Sequence, residues 1–123
     1  MAQTIHLKAN GGPAIARITI GQAQVGKFAI SIFDANKQNP QKIGSGVTPP
    51  STQDATMGAA PALNGKFLAW VAVIIPFTEN NEPYALTMDV LQDDVRVASF
   101  TESGTFNGGT PKKVPGSAVI AIT

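Results

Sequence analysis

The chain has 123 residues, a length that one hydrophobic core can serve. It has no cysteine and one histidine, His6, which removes disulfides, thiolate metal sites, a cysteine nucleophile and any histidine-rich metal cluster. Nine Lys and Arg against eight Asp and Glu leave a net charge of +1, so a broad basic face for nucleic acid is unsupported; at 43% hydrophobic the chain is still apolar enough to fold.

The first eight residues show neither a basic region nor a continuous apolar stretch of the kind a secretory signal needs. The expectation is a cytoplasmic protein, and secretion by a signal-independent route stays compatible with it. Thr4 to Ala9 then alternates, with Ile5, Leu7 and Ala9 on one face and Thr4, His6 and Lys8 on the other. That is the period of a half-buried strand. Asn10-Gly11-Gly12-Pro13 breaks it, and Ala14 to Ile20 resumes with Ala16, Ile18 and Ile20 on one side. Pairing Ala9 with Ala14 places Leu7 opposite Ala16, Ile5 opposite Ile18 and His6 opposite Arg17, so a hairpin is expected. Gly21 to Gly26 is a second turn region. Lys27 to Phe33 is the third strand, with Phe28, Ile30 and Ile32 in phase.

Asp34 to Gly65 spans 32 residues and contains four prolines and four glycines. Its apolar residues are scattered, and it reads as one long irregular loop with at most a short helix around Thr52 to Ala60. Phe67 to Phe77 follows, apolar on both faces from Phe67 to Ile75, a run of nine residues that stops at Pro76. A spanning helix needs about 20, so this is no membrane span; it is a central strand covered on both sides, or part of an interface. Tyr84 to Leu91 alternates, and Val95 to Thr101 returns after Gln92-Asp93-Asp94. Pairing Val90 with Val95 also pairs Met88 with Val97 and Asp89 with Arg96. Glu102 to Gly116 reads as a long connection, and Ala118 to Ile122 is the last strand.

Seven strands result, or eight counting Thr105-Phe106, with no sustained helical period. The fold class is all-β: a single domain over 1–123, an antiparallel β-sandwich of immunoglobulin-like or jelly-roll-like outline, with the loop at 34–65.

Catalytic chemistry finds little footing. A Ser-His-Asp triad would have to use His6, which lies in the outward set of its strand, and no nucleophile elbow is present; Gly44-Ser45-Gly46 has the wrong spacing. Asp34 to Asn39 begins like a calcium loop, but Asn39 stands where glycine is needed and Ser45 where the closing glutamate is needed. Glu79 and Glu82 lie on one connection and Asp93 and Asp94 on the next, which places them at opposite ends of a strand, roughly 20 Å apart. Nothing selects a glycosidase-type acid pair, and no phosphate-binding glycine loop opens a helix. Lys112-Lys113 is a small basic turn. No catalytic residue, cofactor or metal ligand is therefore assigned.

Trp70 sits mid-strand and is expected between the sheets. Phe33, Phe77, Tyr84 and Phe106 lie near strand ends, where aromatics either plug the sandwich or form a rim platform. With Asp34 and Asn36 from the long loop, they are the candidate partner-binding residues. The expected function is a non-enzymatic binding or interaction module, its partner a protein, a glycan or a second copy of the chain. The alternatives are a structural subunit of a larger assembly, such as a secretion or phage particle, and a small lectin-like domain.

Overall fold

The computed structural model describes residues 3–21, 25–36, 38–48 and 52–123. Its strands are β1 (Thr4–Leu7), β2 (Ala14–Ile20), β3 (Val25–Phe33), β4 (Gln41–Thr48), β5 (Thr52–Gly58), β6 (Phe67–Ile75), β7 (Pro83–Gln92), β8 (Val95–Thr105) and β9 (Lys112–Ile122), with one 3-10 turn at Ala60–Leu63. They form a sandwich of two sheets, ordered β1-β9-β6-β3-β4 and β5-β2-β7-β8. All described pairings are antiparallel except β1 with β9. A constant-type immunoglobulin domain orders its strands 1-2-5-4 and 3-6-7; the order here differs, so the likeness is one of architecture. No helix among the described residues is long and apolar enough to cross a membrane.

Alternation fixes the core. Ile5, Leu7, Ile18, Ile20, Ile30, Leu68, Ile74, Leu86, Met88 and Ile120 are fully buried between the sheets. Trp70 is buried among them and stacks on Phe100 with ring centroids 5.5 Å apart. Its indole lies over Gly116 of the neighbouring strand, where a Cβ would stand 2.4 Å from two ring carbons. Tyr84 covers Gly104 in the same manner. In both places the glycine supplies the room that the aromatic ring occupies.

Four expectations are corrected. The β1–β2 hairpin does not form: β1 lies in one sheet beside β9, with Ile5 opposite Ile120 and Leu7 opposite Ile122, and β2 lies in the other between β5 and β7. Asn10 to Pro13 is a crossover between sheets. It is held by Gln92, whose Oε1 accepts from Lys8 N (2.8 Å) and whose Nε2 donates to Lys8 O (2.9 Å) and Gly12 O (3.1 Å). Alternation says which face a residue takes, and that face is the same whether the partner strand is the neighbour in sequence or a distant one.

The β7–β8 hairpin exists with a different register. Asp93 and Asp94 both take positive φ, as a two-residue hairpin turn requires, and Gln92 pairs with Val95. A bulge between Val90 and Leu91 then sets Val90 opposite Ala98, Asp89 opposite Ser99 and Met88 opposite Phe100. The odd slip turns Phe100, not Val97, toward Met88 and Trp70.

The segment 34–65 is not a loop. It contains β4 and β5, and the helix expected near Thr52 is strand, with Ala55 and Met57 buried. Gly44 and Gly46 lie within β4 because its inner face is crowded: a Cβ on Gly44 would stand 2.8 Å from that of Ala55, and one on Gly46 3.3 Å from the Phe28 ring. Pro40 precedes β4 and Pro61 opens the 3-10 turn, while Pro49 and Pro50 lie outside the described residues.

Glu102 to Gly116 is also mostly strand, leaving 106–111 as the connection and bringing the strand count to nine. Pro115 is tolerated in β9 because β1 pairs only with Val119–Ile122, so the stretch holding Pro115 has β6 on one side and an open edge on the other.

Candidate functional site: the outer face of the five-stranded sheet

β6 is central, as its sequence implies, but among the described residues only one of its faces is covered. Leu68, Trp70, Ala72 and Ile74 point into the core; Phe67, Ala69 and Val71 are half-buried on the other side, and Val73 and Ile75 are exposed. Register extends this apolar line sideways. Phe67 lies between Phe33 of β3 and Val119 of β9, Ala69 between Ser31 and Ser117, and Val71 between Ala29 and Pro115. The small residues make a trough. A depression of about 200 Å³ is lined by Phe33, Phe67, Ala69 and Ser117. A second, of about 190 Å³, continues over Ala29, Ser31 and Val71. The next row reads Val47, Lys27, Val73, Lys113 across β4, β3, β6 and β9.

The six candidate residues do not converge. Phe33 is on this face, at the end of β3. Asp34 and Asn36 form the turn beyond it. Asp34 Oδ2 accepts from Asn39 Nδ2 (2.9 Å), its Oδ1 lies 3.9 Å from Lys66 Nζ, and Asn36 Oδ1 accepts from Gln38 N (3.2 Å). Both side chains thus close a turn in which Asn39 takes positive φ. Phe77, Tyr84 and Phe106 are at the opposite end of the sandwich, one nine-residue strand away, roughly 26 Å. Phe77 is 60% exposed. Tyr84 and Phe106 are buried against each other at 5.3 Å, with Lys112 Nζ 6.0 Å above the tyrosine ring, so they plug that end.

The acids are placed as their spacing implied. Glu79 and Glu82 precede β7 and Asp93 and Asp94 follow it. No group of three or more His, Asp or Glu that could hold a metal ion occurs among the described residues. His6 is exposed on β1, opposite Ala121. A narrower cleft of about 80 Å³ opens between the β8 edge and the part of β9 that β1 leaves free; Trp70 and Phe100 form its floor, and Gln3 and Glu102 are among its lining residues.

The sequence does not point to the row Val47, Lys27, Val73, Lys113, because β4 reads as loop, the start of β9 reads as a connection, and alternation does not say that β3 lies beside β6. The signal that was present is the nine-residue apolar run itself, too apolar for a strand with one solvated face.

The other outer face is mostly polar, with Ile15 beside Leu91 as a half-buried apolar pair at one end. Arg17 donates from Nε to Asp54 Oδ1 (2.7 Å) and from Nη2 to Asp54 Oδ2 (3.1 Å). The hydrogen bond from Arg17 holds the Asp54 carboxyl below its usual range. Asp89 lies across from Arg17 on the other side, its Oδ1 shielded and without a hydrogen-bond partner among the described residues.

No family model matches the chain, and no curated protein matches it. Among solved structures it is similar to a domain of unknown function, DUF4425, from Bacteroides vulgatus, at 11% identity and a TM-score of 0.53 over 89% of this chain and 96% of that one. It is similar also to a DUF4425 family protein from Bacteroides ovatus, at 9% identity and a TM-score of 0.53 over 88% and 96%. At such identities the likeness is one of fold.

Proposed function

We propose that the protein is a non-enzymatic binding module whose recognition surface is the outer face of the five-stranded sheet. The observation that carries this reading is the line Phe67, Ala69, Val71, Val73 and Ile75, which the sandwich does not need for its own core and which stays partly or fully exposed. A sheet face that only meets water alternates to polar residues, and contiguous exposed apolar surface marks an interaction site. The aromatics a sugar platform would use are buried (Trp70, Tyr84, Phe106) or at opposite ends (Phe33, Phe77), which favours an apolar partner over a glycan.

Photo-crosslinking tests this without knowing the partner. A photoreactive residue at Val71 is expected to give adducts in whole-cell material, and one at Thr87 on the opposite face is not. Equal adducts from both positions would remove the assignment. The alternative, a subunit of a larger assembly, would use the same face; it predicts self-association by light scattering that Val71→Lys abolishes.

A further inference from the structure

We infer that the Val73 end of this face docks peripherally on an anionic lipid bilayer, an inference that rests on the outer face being a binding surface. Among the described residues, four of the five large hydrophobics with the greatest exposure gather here: Val47 (50%), Val73 (39%), Ile75 (42%) and Phe77 (60%). Val73 and Ile75 project from the same face of β6, and Phe77 follows two residues beyond. Cations are interleaved with them. In the row Val47, Lys27, Val73, Lys113, hydrocarbon and ammonium alternate at the spacing of strands, about 4.8 Å.

The charge is one-sided. The five strands of this sheet contain four lysines, of which Lys112 stands over the Tyr84 ring and not on the outer face, and not one Asp or Glu. Asp34 follows β3 directly but lies at the far, Phe33 end, 3.9 Å from Lys66 Nζ; the acids next in sequence to the Val73 end, Glu79 and Glu82, belong to the connection after Phe77. The Glu82 carboxylate accepts from Thr78 N, and the Glu79 side chain lies against Gly109, on the end of the sandwich and not on its face.

The identity of the cations selects the occupant. Protein interfaces enrich arginine and deplete lysine, and the planar fork of arginine is the group that matches carboxylates geometrically. Both arginines, Arg17 and Arg96, are on the other sheet. Lysines are point charges on flexible apolar stems, suited to a field of phosphates above hydrocarbon, where the stems lie along the apolar layer and the ammonium groups reach the headgroups. A second copy of the same face would instead set lysine against lysine.

The test is flotation of the full chain with vesicles of equimolar phosphatidylcholine and phosphatidylglycerol, beside vesicles of phosphatidylcholine alone. Binding is expected to the first, weakening as salt rises, and not to the second. Each lysine near the surface is worth about fivefold in partitioning, so Lys27→Gln with Lys113→Gln should lower it by roughly 25-fold. Phe77→Ser should lower it by about tenfold or more through lost apolar insertion, and Thr87→Ala on the opposite face should change nothing. Failure to bind the anionic vesicles at low salt overturns the inference, as does binding that the lysine and Phe77 variants leave intact. Glycerol phosphate shifting the Lys27 and Lys113 amide resonances without vesicle binding also overturns it, in favour of a soluble anion. Protein adducts from position 71 without vesicle binding overturn the lipid inference and leave the binding-module reading standing.

Discussion

The two outer faces of the sandwich are built on the same backbone plan and carry opposite chemistry. On the four-stranded sheet, one row runs Thr52, Thr19, Thr87, Thr101 across all four strands, with hydroxyl contacts of 3.1 Å between Thr19 and Thr52 and 3.3 Å between Thr87 and Thr101. The next row is Asp54, Arg17, Asp89, Ser99. On the five-stranded sheet the corresponding rows are apolar, small or lysine. Folding demands apolar residues only on the inner faces, and the threonine face shows how the chain treats a surface that meets water: β-branched hydroxyl residues that favour strands and stay polar. Measured against it, the β6 face holds apolar groups that folding did not require. That difference separates what the sequence spends on structure from what it keeps for a partner.

The comparison presumes that both faces back onto one core, and Trp70 is where that can be broken. Trp70→Ala should cost about 3–5 kcal/mol in chemical denaturation, through lost burial and the cavity between Phe100 and Gly116. Gly116→Ala should be destabilising too, by about 1–3 kcal/mol, because the added methyl and the indole claim the same space. The native fluorescence should be blue-shifted and poorly quenched by iodide. A red, freely quenched emission would mean that the sheets are splayed along the Trp70 cleft, and the division into inner and outer faces would fall.

A smaller effect sharpens the contrast directly. Val71→Lys and Thr87→Lys replace half-buried residues at comparable places on the two faces. Each is expected to shift stability by about 1 kcal/mol or less, since neither enters the core. Their consequences for binding should differ, with only the Val71 change abolishing adducts or self-association. A loss of several kcal/mol from Val71→Lys alone, measured by urea titration, would show that the β6 face is structural.

Why the contrast was only half legible follows from what alternation encodes. Period-2 patterning assigns the right face to Ile5, Leu7, Ile18, Phe28 and Met88, and points to the sandwich class. It carries no information about which strand lies alongside: β2 matches β1 in pattern, yet the partner is β9, some 115 residues away in register. Bulges defeat it as well: the extra residue Val97 in β8, opposite the Val90–Leu91 step, reverses the facing of the rest of β8 and turns Phe100 toward Trp70. β4 was missed for a third reason. Gly44 and Gly46 are turn-like by composition and strand-forming by circumstance, because Ala55 and Phe28 fill the space above them. Gln92 shows the limit in reverse. It looked like a turn residue and is a buried anchor for the Lys8–Gly12 crossover, a role set entirely by a distant backbone. Val47 and Lys113 beside the β6 face lie in stretches that read as loop, and Lys27 lies in an expected strand whose place next to β6 alternation does not reveal, so the apolar run is visible in the sequence but the charge around it is not.

The smallest expected effect concerns acid, and it too divides the faces. The strands of the five-stranded sheet hold no carboxylate, and those of the four-stranded sheet hold Asp54, Asp89 and Glu102. Asp54 is the group with a defined shift: the Arg17 hydrogen bond lowers its folded-state pKa. A carboxyl depressed on folding adds stability that is present above its unfolded value, near 3.9, and is lost as pH falls through the folded value. Asp54→Asn should therefore separate from the parent in melting temperature above about pH 4 and merge with it toward pH 2. The pair is about half exposed, with side chains 41% and 46% accessible, so the gap should be small and should shrink further with added salt. A gap that persists unchanged at pH 2, or one that salt leaves untouched, would mean that Asp54 acts through packing and not through its charge, and the polar face would owe its order to the threonine row instead.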